Sequence, residues 1–93
     1  MPASGNTLLA RNGEWLIATI GDETALMSVA NGRIMGVNAM GLRVWDLIEQ
    51  PRDFHGICRT LCEEFDVSAE QCADQVDAFL AEMARRGAIM RHA

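Results

Sequence analysis

The chain of 93 residues contains no lysine and no tyrosine, and only two histidines and two prolines. Without lysine there is no Schiff-base amine, and two histidines leave general acid–base catalysis few candidates. No apolar run reaches the roughly 18 residues a membrane span requires. The N-terminal stretch MPASGNTLLARNGE lacks the basic-then-apolar pattern of a secretory signal, so a cytoplasmic location is expected. Three cysteines, an odd number, give no disulfide framework. Cys58, Cys62 and Cys72 read as reduced thiols packed as small apolar side chains. Positive charge is scarce too: 8 arginines face 13 acidic residues, for a net charge of -5. A polyanion-binding surface needs clustered cations to displace counterions, so nucleic acid is a poor partner.

What is present describes an ordinary folded chain, 49% apolar and 23% charged. It is one domain, of a size that buries about 60 to 65% of its unfolded surface. Residues 1–13 are polar and read as a flexible lead-in, 14–90 as the domain, 91–93 as a tail.

EWLIATI (Glu14 to Ile20) reads as a strand between Gly13 and Gly21-Asp22, and TALMSVA as a second. Asn31-Gly32 then signals a type I′ hairpin, which needs positive φ at both central positions, so RIMGV (Arg33 to Val37) folds back as a third strand. Asn38 can cap a helix over AMGLRVWDLIEQ, stopped by Pro51. Asp53 can cap a second, Phe54 to Phe65, in which Gly56 weakens helix propensity. Ser68 with Gln71 forms a capping box for a third, whose stripe is Ala69, Cys72, Val76, Phe79, Leu80 and Met83 and whose end is Gly87. The expected fold is α+β: a three-stranded antiparallel meander, then three helices, the last two meeting like a helix-turn-helix.

Chemistry is thin in this pattern. His55, Cys58 and Cys62 lie at metal-compatible helical spacing, with Cys72 as a possible fourth group. Yet structural zinc usually draws ligand pairs from separate elements, and Cys58 falls on the core stripe, so no metal, cofactor or catalytic residue is expected. A Cys58/His55 nucleophile pair lacks a group to orient the imidazole. Glu63, Glu64, Asp66, Asp74 and Asp77 read as solvated faces. As a DNA-reading helix the third would carry Glu70, Asp74, Asp77 and Glu82 toward phosphate, which is electrostatically wrong.

The strand RIMGV remains. If the meander runs in sequence order, this strand is an edge with unpaired N–H and C=O groups and no proline or lysine guarding it, which invites an extended peptide. The competing reading is a structural arm covered by its own tail or by a dimer mate. Met27, Met35, Met40 and Met83 either line an adaptable groove there or are simply core.

Gly21 to Ile89 resembles the PqqD family, the small recognition elements that bind leader peptides of ribosomally made natural products. The resemblance rests on the hairpin LMSVANGRIMGVN, the helix GLRVWDLIEQPRD and the ending FLAEMARRGAI. It implies a winged helix-turn-helix-like domain of three strands and three helices. It also implies that a leader adds as a strand to the backbone of Arg33, Ile34, Met35, Gly36 and Val37, beside a third-helix wall of Val76, Leu80, Met83 and Ala84. Asp77 is then expected to meet a basic leader residue. The pattern is closer to the stand-alone chaperone of split lasso-peptide systems than to the pyrroloquinoline-quinone members that serve a radical enzyme. It therefore implies a leader peptidase, a cysteine protease, or another maturation enzyme as partner, with no nucleic acid and no membrane. A winged-helix DNA regulator is the remaining alternative.

Overall fold

The computed structural model describes residues 7–92. Strands β1 (Leu8–Arg11), β2 (Trp15–Ile20), β3 (Glu23–Ser28) and β4 (Ile34–Val37) precede helix α1 (Ala39–Leu47). A short β5 (Arg52–Asp53), helices α2 (Phe54–Glu64) and α3 (Ala69–Arg85) and strand β6 (Ile89–His92) follow. The expected meander is present as an antiparallel sheet in the order β2-β3-β4, and the three helices follow it.

A second sheet, ordered β5-β1-β6, was not anticipated. The lead-in assigned to residues 1–13 contains a strand: Leu8 pairs with His92 and with Asp53, and Arg11 pairs with Ile89. The first six residues of that lead-in lie outside the described residues. Leu9 is buried, and Arg11 fixes the strand by donating from Nε and Nη2 to the Trp45 carbonyl at 3.0 and 2.7 Å. The Arg11 guanidinium also sits 4.4 Å from the centroid of the Trp45 ring. The tail begins inside the partner strand, since Arg91 pairs with Leu9.

The hairpin also differs from expectation. Ser28 N–H donates to the Arg33 carbonyl at 2.9 Å, so Val29 to Gly32 form a four-residue loop. Gly32 alone has positive φ there (+72°), while Asn31 uses its Oδ1 to accept from Arg33 N–H at 2.9 Å. A side-chain turn thus replaces the second left-handed residue. A two-residue loop would oppose Ala30 to Arg33; the observed register is shifted by two, an even step that keeps every side chain on its face.

All three expected N-caps are formed. Asn38 Oδ1 accepts from Gly41 N–H at 2.8 Å, Asp53 Oδ1 from Gly56 N–H at 2.7 Å, and Ser68 Oγ from Gln71 N–H at 3.1 Å. The short Asp53 contact explains Gly56, since a Cβ there would lie 2.8 Å from Asp53 Oδ1. Gly87 (φ +74°) ends α3, with Ala88 N–H on the Met83 carbonyl. The core lies between the inner face of the meander and the helices. Leu26, Val44, Ile48, Ile57, Leu61, Val76 and Met83 are fully buried, each contributing about 1.5–3 kcal/mol of transfer free energy. Arg43 ties α1 to α2 by donating from Nε and Nη2 to the two carboxylate oxygens of Glu64 at 2.7 and 2.9 Å.

Candidate functional site

The sheet order leaves β4 as a free edge. Hydrogen-bonded pairs alternate in an antiparallel ladder. Because Ser28 and Arg33 are such a pair, Leu26/Met35 and Thr24/Val37 are the next ones. The main-chain groups of Ile34 and Gly36 therefore point away from β3, toward open space. Side chains divide the other way: Met35 is 4% exposed and Val37 half-buried on the inner face, while Ile34 is 48% exposed on the outer one. Gly36 has no atom within 4 Å of where a Cβ would stand, so the outer face of the sheet is open there.

Helix α3 borders a cavity at each end of this strand. A cavity of about 350 Å³ is lined by Asn38, Met40, Gly41 and Val44 from the strand exit and α1, and by Gln75, Ala78 and Phe79 from α3. A second, of about 380 Å³, is lined by Trp15, Asn31 and Arg33 from the sheet and by Glu82, Arg85 and Arg86 from α3. The first lies at the Val37 end of β4 and the second at the Arg33 end, so strand and helix run antiparallel along the groove.

The α3 residues that line these cavities are not Val76, Leu80 and Met83. Val76 and Met83 are 0% exposed and Leu80 is 2%: these are core residues holding the helix against the sheet, not an open wall. At about 100° per residue, Gln75, Ala78, Phe79 and Glu82 lie on the flank to one side of that stripe, and Asp77 and Ala84 on the other. Asp77 and Ala84 are exposed but face away from the groove. Of the expected site, Arg33 to Val37 stand at the edge. The cavity near the Val37 end is lined by Phe79 and its neighbours, together with Met40 and Gly41. Phe79 is half-buried and marks the margin of the apolar stripe, the one sequence signal that pointed to it.

The thiols gather elsewhere. Cys72 is fully buried where α2 packs on α3, and its Sγ donates to the Cys58 carbonyl at 3.7 Å. Burial, with the neighbouring Cys62 and Cys58 thiols adding to it, pushes the Cys72 thiol up to about 12. Burial likewise raises Cys58 against an opposing bond from Cys72. A thiol held neutral in this way is a poor nucleophile. Among the described residues no group of three or more His, Cys, Asp or Glu is placed to hold a metal ion. None of the described helices is long and apolar enough to cross a membrane.

A free strand edge beside a helix, carried on a meander packed against a helix-turn-helix, defines a small winged helix-turn-helix-like domain whose accessible feature is backbone. Residues 23–89 match the family described as coenzyme PQQ synthesis protein D (PqqD), and the chain belongs to that family. A structure described as TbiB1 in complex with the TbiA(beta) leader peptide is similar, with a TM-score of 0.72 and 25% identity over 90% of this chain and 98% of that one. Another, lasso peptide synthetase B1 complexed with the leader peptide, has a TM-score of 0.71 at 12% identity, covering 88% of this chain and 96% of that one, and shares the fold. No curated protein matches this chain.

Proposed function

We propose that the chain binds the leader segment of a ribosomally made precursor, of the lasso-peptide kind, as an added strand on β4. The observation that carries this is the open edge itself: Ile34 and Gly36 offer two N–H and two C=O groups outward, on a strand with a cavity bordered by α3 at each end. Main-chain pairing supplies sequence-tolerant affinity, and the Phe79/Met40/Gly41 cavity selects an apolar side chain. The fold shared with two leader-peptide complexes, and the 25% identity to the TbiB1 chain, support it. The role needs no catalytic group: the protein holds the leader and presents it to a processing enzyme, which we take to be a cysteine leader peptidase.

The test is an amide-shift titration of labelled protein with the leader of its precursor. Ile34, Gly36 and the Gln75 to Glu82 flank are expected to respond. A response confined to the Asp77/Ala84 flank or to β2 would overturn the reading. Faster leader cleavage by the co-expressed peptidase when this chain is present would establish the partner.

A further inference from the structure

The two ends of the groove differ in charge. At the Arg33 end, three guanidiniums surround the 380 Å³ cavity against a single carboxylate. Glu82 accepts from Arg86 Nε at 2.6 Å and is also paired with Arg85. One carboxylate shared by two arginines leaves a formal excess of positive charge. Arg33, on the facing hairpin, makes no ion pair among the described residues, so the excess is larger still. Arg85 and Arg86 stand at the C-terminal end of α3, where the helix dipole offsets part of this excess. At the opposite end of β4, Asp22 and Glu23 lie beside Val37 and Asn38. Such polarity is unexpected in a chain of net charge -5, and it lies along the β4 edge.

We infer that the groove reads an acidic residue of its peptide at a fixed distance from the apolar anchor, with Arg33, Arg85 and Arg86 as the seat for the carboxylate. This rests on the strand-addition reading and adds a charge, a spacing and a direction to it. Guanidiniums suit the task because they bind a carboxylate in a planar, bidentate fashion. The spacing follows from geometry. Phe79 and Arg86 are seven residues apart on α3, about 10 Å at helical rise, which an extended peptide covers in about three residues. Arg33, just before β4, and Val37 at its end are four apart in sequence. The carboxylate therefore sits three to four residues from the anchor, on the side that lies along Arg33. The acidic far end disfavours it on the other side, so charge fixes which end of a bound peptide lies at Arg33.

The experiment uses short synthetic peptides with one leucine in a polar, extended background. A single glutamate is placed at successive offsets on either side, and glutamine replaces it in controls. Amide-shift titration at low salt reads weak binding and its location together. Glutamate is expected to improve affinity about two- to fivefold over glutamine at an offset of three or four. The double variant Arg33→Glu/Arg85→Glu is expected to lose that preference while still binding the glutamine peptides. Both positions are exposed, so the fold is retained. Equal binding of glutamate and glutamine peptides, with the Ile34 and Gly36 amides responding, would overturn the charge seat and leave strand addition standing. An equal gain at every offset would also overturn it, as diffuse attraction. Silence of the β4 amides with every peptide would remove strand addition itself, and the seat with it.

Discussion

Gly41 lies under the edge of the Phe79 ring: a Cβ at Gly41 would stand 2.6 Å from Phe79 Cε1 and 3.0 Å from Cδ1. This contact sets the separation of α1 and α3 and forms the floor of the apolar cavity. Gly41→Ala is expected to force the ring outward into the groove. Overpacking of about 1–3 kcal/mol outweighs the helix-propensity gain of up to about 1 kcal/mol. Urea denaturation checks the loss, and weaker leader binding checks the displaced ring.

Leu80 and Phe79 are adjacent in sequence yet do different things. Leu80→Ala should cost about 2–5 kcal/mol of stability, because it leaves a cavity in a fully buried site. Phe79→Ala should cost less stability, since the ring is only half-buried, but should weaken peptide binding about tenfold through loss of the groove wall. Denaturation midpoints and binding constants for the pair separate core from site.

At Gly32 the backbone is left-handed, with φ +72° and nothing within 4 Å of a Cβ position. Gly32→Ala is therefore expected to cost about 1–2 kcal/mol from conformation alone. Asn31→Ala, which removes the acceptor for Arg33 N–H, should cost about 1 kcal/mol. Thermal melts of the two single variants check both values.

Much of this was legible in the sequence, and the failures have a common cause. The meander, the three helices and the caps at Asn38, Asp53 and Ser68 each follow from signals within a few residues. Strands β1, β5 and β6 do not, because Leu8 pairs with residues as remote as His92, and TLLAR surrounded by polar residues carries no local sign of that partner. The β4 edge was readable from strand order alone. Which α3 residues line the cavities was not, because periodicity finds the apolar face of a helix but not which margin of it the tertiary fold leaves open. Val76, Leu80 and Met83 are the centre of the stripe and were drawn into the core. Phe79, off centre, remained at the surface.

Cys72 should be unreactive toward thiol reagents in the folded protein near neutral pH and react fully in denaturant, because its thiol is buried and held neutral up to about 12. A folded-state value above the unfolded 9.0 favours folding below pH 9 and progressively less as pH climbs from 9 toward 12. Stability measured across that alkaline window in wild type and Cys72→Ala should therefore fall more steeply in the wild type.

The pairing of Leu8 with His92 has a mechanical meaning. Both strands of this clasp enter and leave the domain at the same end, so a load applied between the outer ends of β1 and β6 peels their hydrogen bonds one after another instead of shearing them together. The clasp is a zipper under tension. The helices and the β4 edge bear the load only once it has opened.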